Sequence, residues 1–455
     1  MSVMIRRVLL TAGAAAVLVA AAISWQPGSE YQQANAATVH QQASGTTDYQ
    51  QLQKFSRVMD MVRQAYVEKV GDEKLIDGAL SGMLSSLDPH STYLNKDMFK
   101  QMNVDTTGEF GGLGIEISSA QGGILIVSPI EDTPADRAGI KAGDLIVKID
   151  DELARDMSLA DAVKKMRGKP GSGITLTVFR KGEDAPLEIK IVRAIIKVKS
   201  VKGDLIAPDY AYLRITQFQE RTGSLLDKQI QTLKKRSGGT LSGAVLDLRN
   251  NPGGLLNQAV AVSDIFLDKG NIVSTKSRAG KSMNFDAHMG DELQGLPLIV
   301  LINHGSASAS EIVAGALQDH HRAVLLGTRS FGKGSVQSVV PLSDGTAIKV
   351  TTALYYTPSG RSIQATGIEP DIKVEQPRIK PVKQDDKVPF PSLFESSLKG
   401  HLANGNHDKK DHKKGADVVA SPENDASDKM KKRLPLDTQL QRALDLLRGL
   451  HALKD

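Results

Sequence analysis

The chain reads as an α/β core, a mixed sheet with flanking helices, that carries a separate β-rich domain and has helical segments at both ends. Three observations predict this. Between residues 200 and 375 short apolar strands alternate with helical patterns, as a layered α/β sheet requires. Between 103 and 196 strand follows strand with turns and brief helices in between. Near both termini apolar residues recur at helical spacing. With 455 residues, 40% of them hydrophobic, the chain has material for two or three domains.

The first 36 residues are organised for export. Arg6 and Arg7 precede the apolar run Val8–Ile23, and Ala34-Asn35-Ala36 supplies a small-residue cleavage pattern. The run is shorter than the roughly 20 residues of a comfortable membrane span. The cleavage pattern sits well past it, however, so an uncleaved inner-membrane anchor remains the alternative. Either form puts the body of the protein in the periplasm or outside the cell.

Residues 37–102 form an N-terminal helical region. Phe55, Val58, Met59, Val62 and Tyr66 mark one helix, and Leu75, Ile76, Leu80, Met83 and Leu84 a second, with Gly71-Asp72 between them. Leu87-Asp88-Pro89-His90-Ser91 ends the second, because the residue before a proline resists helical geometry. From 103 to 196, Gly111–Ile117 is a glycine-rich loop entering an alternating strand. Ile124–Val127, Leu145–Ile149, Ile174–Phe179 and Leu187–Val192 are further strands, and Ser158–Met166 is a helix.

From 197 to 375 the pattern is strand Ala211–Ile215, helix Ser224–Lys235, strand Gly243–Leu248, helix Leu256–Phe266, strand Leu296–Ile302 and a helix from Ser308 to about Asp319. Several short strands follow over 323–355. Residues 376–433 read as a charged flexible linker, most polar over 400–433. Residues 434–455 close the chain with an amphipathic helix bearing Leu440, Ala443, Leu444 and Leu447. Such a helix beyond a tether docks on a partner, a sister subunit or its own body, so a homo-oligomer or adaptor contact through the terminal helices is open.

Composition excludes several functions. Lys+Arg outnumber Asp+Glu by 57 to 52, too little for nucleic acid, and no basic face is interleaved with aromatics. There is no cysteine, so disulfides, thiolate nucleophiles and lipid anchoring are ruled out. The histidines lack ligand spacing such as H-E-x-x-H, so no metal site or other cofactor is expected.

Three stretches carry chemistry. In Asn303-His304-Gly305-Ser306-Ala307-Ser308-Ala309-Ser310-Glu311 a buried strand runs through small residues into a helix, placing a hydroxyl where free N–H groups and the dipole stabilise an oxyanion. Serine followed by Glu is also ordinary capping chemistry, and one serine can cap while its neighbour attacks. In Thr328–Gln337, Lys333 lies between two glycines after a buried strand, an odd place for a solvated lysine. A lysine in a water-poor site loses proton affinity and serves as base to a serine, with Gln337 available to aim the amine. The third is Leu246-Asp247-Leu248-Arg249-Asn250-Asn251-Pro252-Gly253-Gly254, whose turn presents bare N–H groups.

Leu-Asp-Leu-Arg-x-Asn-Pro-Gly-Gly, Ser-Ala-Ser-Ala-Ser-Glu-Ile and Phe-Gly-Lys-Gly-x-Val-Gln occur in the order found in the carboxy-terminal processing (tail-specific) peptidases. The resemblance spans Tyr49 to Val374, with the Leu-Asp-Pro-His-Ser lead-in and a PDZ domain at 103–196. It implies Ser308 as nucleophile, Lys333 as base, Gln337 as its support, and the Gly254 and Ala309 N–H groups as oxyanion donors, with Asp247 and Arg249 bracing the turn. Gly112-Leu113-Gly114-Ile115 resembles the PDZ carboxylate-binding loop, with Ile where Phe is usual, which implies protein substrates with accessible, apolar C-termini. Arg167 is a candidate extra positive contact or interdomain latch.

A Ser–His–Asp triad is the rival chemistry. His320 and His321 fall at the far end of the Ser308 helix, about 18 Å away at about 1.5 Å per residue, which leaves only His304. A non-catalytic PDZ scaffold and an esterase on the same oxyanion hole are the rival functions.

Overall fold

The computed structural model describes residues 47–376, 394–397, 401–402 and 437–452. Residues 1–36, expected to direct export, and most of 376–433 lie outside them. Among the described residues no helix is long and apolar enough to cross a membrane. Among the described residues, those up to Ala79 belong to one unit and those from Leu80 onward to another. The first holds the helix Thr47–Ala65, whose Leu52, Phe55, Val58 and Met61 are exposed. Arg63 pairs with Asp60 and with Asp72 of the following helix.

In the second unit, a six-stranded mixed sheet runs Val201–Ala207, Tyr210–Ile215, Gly243–Asp247, Leu298–Ile302, Val324–Gly327, Ile372–Lys373. The first pair is antiparallel and the rest parallel. The run Leu298-Ile299-Val300-Leu301-Ile302 is apolar at every position because both faces are covered, as for any central parallel strand. Val300 and Ile302 join the core under the helices Thr222–Arg236, Leu256–Asp264 and Ala309–Asp319. Ile299 and Leu301 meet Leu440, Ala443, Leu444 and Leu447 of the C-terminal helix Thr438–Ala452. Of the three docking options, the C-terminal helix thus takes its own body.

A second sheet pairs Thr92–Leu94, Ala347–Tyr356, Asn271–Ser277 and Ser282–Asp286, with Ser335–Pro341 added on Ala347–Tyr356. The β-rich domain is a six-stranded antiparallel sheet around Ile126, Ile146, Ile149, Leu176 and Val178, with the helix Leu159–Met166 against it. Ser158 caps that helix by accepting the Asp161 N–H. The chain enters this domain along Glu109–Gly112 and leaves along Ala194–Lys197. The two segments pair antiparallel as a separate ribbon, Glu109 opposite Lys197. At its base the Val198 N–H donates to the Gly108 carbonyl at 2.9 Å.

One expectation needs correction. The stretch 376–433, expected to be a flexible linker throughout, contains Phe394–Ser397, where Glu395 is completely buried. A carboxylate is buried only when it finds partners, and here it finds His90 and Gln364, far away in sequence.

Candidate active site

The strand Leu298–Ile302 ends in Asn303–Ala307, and Ser308 then stands at the head of the helix Ala309–Asp319 with φ 55° and ψ −114°. That backbone is costly for a residue with a Cβ, and such strain persists only where the surroundings over-determine it. They do so here. Ala307 N–H donates to the Asn251 carbonyl at 3.0 Å, as does the Ser310 hydroxyl at 3.0 Å. The Ser306 hydroxyl donates to the Leu248 carbonyl at 2.8 Å. The result is a sharp strand-to-helix elbow that leaves Ser308 partly exposed above a buried frame.

The Asn250–Gly254 turn presses against this elbow. A methyl group at Gly253 (φ 101°) would sit 2.7 Å from Ser308 Cβ and 3.0 Å from the Ala309 nitrogen. One at Gly254 (φ 142°) would sit 2.2 Å from the Phe218 carbonyl oxygen. Only glycine allows this approach. Among the described residues the Gly254 and Ala309 N–H groups donate no hydrogen bond, so two unspent donors flank the turn.

Beneath the turn lies Asp247, fully buried. Burial alone would raise its proton affinity, but Arg249, Arg214 and the Tyr212 hydroxyl overcome that and hold it well below the usual carboxylate range. Arg249 also reaches Asp437 at 2.8 Å and Gln439 at 2.9 Å, at the head of the C-terminal helix. That helix is thereby tied to the underside of the turn.

Lys333 sits between Gly332 and Gly334, just before the strand Ser335–Pro341. A methyl at Gly334 would lie 2.5 Å from the Gln364 nitrogen. Burial, followed by the charge of Lys349, pushes the Lys333 ammonium down to about 8. Glu395, Glu311 and Asp88 work in the opposite direction.

Glu311 joins the two halves. It lies one turn into the Ser308 helix and is fully buried. Its Oε2 accepts the Ser308 N–H at 2.8 Å and the Lys333 N–H at 2.9 Å. Its Oε1 accepts the Gly332 N–H at 2.7 Å and the Ser330 hydroxyl at 2.5 Å. The Ser308 and Lys333 backbones therefore lie within two hydrogen-bond lengths of each other. Burial outweighs these bonds and lifts the carboxyl to about 7. Tyr355 adds a second link: its phenol donates to the Lys333 carbonyl and lies within hydrogen-bonding reach of the Ser308 side chain.

Gln337 differs from expectation. Its amide nitrogen donates to the Ser335 hydroxyl at 2.9 Å and the Thr351 hydroxyl at 3.2 Å, and among the described residues its oxygen accepts no hydrogen bond from the lysine amine. A bulge between Val336 and Gln337 shifts the register there. His304 is half-buried, burial pushes its imidazole down, and it makes no hydrogen bond to Ser308.

The model for peptidase family S41 matches residues 209–374, and that for the PDZ domain matches 111–191. A third model, the activating protease CtpB N-terminal domain, matches 10–98. A carboxy-terminal-processing protease of Bartonella bacilliformis is 51% identical over 403 residues, 88% of this chain and 89% of the relative. The chain is a carboxy-terminal-processing serine peptidase of family S41. A carboxy-terminal processing protease of Bacillus subtilis is 35% identical, covering 74% of this chain and 72% of the relative. Among solved structures, a photosystem II D1 C-terminal processing protease is 30% identical, with a TM-score of 0.42, covering 69% of this chain and 86% of the other.

In this S41 peptidase the PDZ loop Gly112–Ile115 is drawn against the start of the helix Pro134–Arg137. Leu113 is buried, and its carbonyl accepts the Ala135 N–H at 2.9 Å. The Gly114 carbonyl accepts from Ile130 N–H at 2.8 Å and the Thr133 hydroxyl at 3.1 Å. With their carbonyls engaged, the Leu113 and Gly114 N–H groups donate no hydrogen bond among the described residues. Ile115 opens the strand Ile115–Ala120. Arg167 follows the helix Leu159–Met166, donates to Gln101 of the helix Lys96–Thr107, and stacks 4.8 Å above the Phe110 ring.

Sequence reasoning missed Tyr355, Gln364 and Glu395 around the lysine loop, and His90 behind Glu395. Glu311 was visible only as a capping residue. The Ser-x-x-Glu spacing gave its position but not its second set of partners.

Proposed function

We propose that this S41 peptidase cuts exported proteins near their C-termini by an acyl-enzyme route, with Ser308 as nucleophile and Lys333 as general base. The neutral amine takes the Ser308 proton as the oxygen attacks the scissile carbonyl. The oxyanion lodges on the Gly254 and Ala309 N–H groups. Collapse breaks the C–N bond, the lysine ammonium returns its proton to the leaving amine, and water then hydrolyses the ester by the same proton path. Gln337 steadies the base through its strand. Leu113, Gly114 and Ile115 hold the substrate's terminal carboxylate while its last residues add a strand to the PDZ sheet. An export signal or anchor at 1–36 and a periplasmic site of action complete the reading.

The observation that carries it is the single Glu311 oxygen that takes both the Ser308 and Lys333 N–H groups. A base must be unprotonated to act. With the ammonium pushed down to about 8, the rate rises as pH increases through about 8 instead of through 10.5.

Purified wild type, Ser308→Ala and Lys333→Ala are compared on a peptide with an apolar C-terminus and on the same peptide amidated. The expected result is no turnover for Ser308→Ala and a loss of roughly 10³-fold for Lys333→Ala. Amidation should raise KM. Full activity in Lys333→Ala sinks the Ser–Lys mechanism, and indifference to amidation sinks the carboxylate-binding role of the PDZ loop.

A further inference from the structure

The chain returns to the active site after the peptidase-family match has ended at 374. Phe394–Ser397 forms a single short turn against the loop that carries Lys333. The Glu395 N–H donates to the Phe331 carbonyl at 3.2 Å. The Glu395 carboxylate, 0% exposed, faces His90 Nε2 with both oxygens, at 2.8 and 2.7 Å. It also accepts the Gln364 amide at 3.0 Å. Gln364 is itself completely buried. Its other end accepts the Gly334 N–H at 2.9 Å, and its amide also donates to the Leu402 carbonyl at 3.3 Å. The Arg329 guanidinium lies 4.3 Å over the Phe394 ring. Phe331 and Gly334, on either side of Lys333, are thus fastened to one segment, the first directly and the second through Gln364.

We propose that Phe394–Ser397 is a clasp of the active site, in which Glu395, seated on His90 and Gln364, is a positioning residue for the Lys333 loop and sets the charge around its amine. The proposal rests on Lys333 being the base.

The charged groups that bear most on Lys333 come from four places. They are Lys349 on the strand Ala347–Tyr356, Glu311 on the Ser308 helix, Asp88 in the Asp88–Ser91 turn, and Glu395, against which the His90 imidazole lies directly. Asp88 is already engaged by the Ser91 hydroxyl at 2.6 Å and the Thr351 hydroxyl at 3.1 Å. Glu311 is spent on backbone N–H groups. Glu395 is the carboxylate that most favours the ammonium form of the lysine. Burial in a low-dielectric site makes such a charge matter more than it would in water.

The clasp restrains the loop mechanically and also keeps the base from losing its proton too readily. Removing the Glu395 charge while keeping its shape should make Lys333 give up its proton more easily, so the acidic limb of the rate profile should move to lower pH. Removing the side chain altogether should loosen the loop and lower kcat.

The test uses the full chain as wild type, Glu395→Gln, Glu395→Ala and Lys333→Ala. Turnover of the apolar-ended peptide is followed from about pH 6 to about pH 10, and thermal unfolding is recorded for each variant. Glu395→Gln should shift the acidic limb down by roughly half a unit or more. Glu395→Ala should lower kcat roughly tenfold with KM little changed, as displacement of a reacting group does. An unmoved limb in Glu395→Gln, whatever its rate, overturns the proposal, and so does a limb moved to higher pH. The glutamine variant decides the matter even if the alanine variant fails to fold. An inactive Lys333→Ala beside an unchanged Glu395→Gln refutes the clasp and leaves the Ser–Lys reading intact. A fully active Lys333→Ala removes the mechanism on which both depend.

Discussion

Ser308 and Lys333 share one Glu311 oxygen through their backbone N–H groups but are otherwise held in different ways. The serine is placed by a strand-to-helix elbow. A central strand ends, a helix begins, and the elbow between them is locked by the neighbouring strand's own turn, through Asn251, Leu248 and the two glycines. The lysine lies on a loop that leaves the sheet, and its restraints are side chains: Glu311 and Tyr355, which also reach Ser308, and Gln364 with Glu395 behind it. On the proposed mechanism the nucleophile must sit where the oxyanion donors are, so its position is built into the ends of the central strands. A base must have the right proton affinity, and side-chain charges can adjust that without disturbing the fold.

Four substitutions break or sharpen this contrast. Glu311→Ala should have the largest effect, because it belongs to both halves. It orphans the Ser308, Gly332 and Lys333 N–H groups and the Ser330 hydroxyl, each costing about 1–3 kcal/mol when buried and unpaired. Activity should vanish and the unfolding temperature should fall sharply. A stable, active variant would show that the halves are joined some other way.

Gly253→Ala attacks the serine side alone. The methyl meets Ser308 Cβ and the Ala309 nitrogen, so kcat should fall roughly 10²-fold with the pH profile unmoved. A moved acidic limb would mean that the turn also governs the lysine. Tyr355→Phe removes the phenol that donates to the Lys333 carbonyl and reaches the Ser308 side chain. One neutral hydrogen bond corresponds to a kcat loss of roughly tenfold, and steady-state kinetics at saturating substrate would measure it. Arg167→Ala touches neither half. It removes the contacts to Gln101 and Phe110, and the expected result is a KM rise of about threefold at constant kcat. A fall in kcat instead would connect that arginine to the chemistry.

The same contrast explains what the sequence disclosed. The strands and helices around Ser308 were legible because burial on two faces leaves an unbroken apolar run such as Leu298–Ile302, and because the elbow needs small residues in consecutive positions. The Gly253-Gly254 turn was legible for the same reason. Around Lys333 only the flanking glycines gave a local sign. Glu395 sits in a polar stretch that reads as linker, and its partner His90 is 305 residues away. No periodicity links residues so far apart, and a buried carboxylate looks the same on paper as a solvated one. Gln337 shows the limit from the other direction. Its spacing from the lysine suggested contact, but a bulge turned its amide toward Ser335 and Thr351.

The ribbon formed by Glu109–Gly112 and Ala194–Lys197 has an architectural consequence. Its two strands run side by side and opposite in direction, and at the base Gly108 and Val198 already share a hydrogen bond. The chain could therefore be closed there with a tight hairpin turn, and the whole PDZ module would come away without opening the mixed sheet. In the same way, a different domain whose ends lie equally close could be spliced onto the same stem without disturbing the catalytic body.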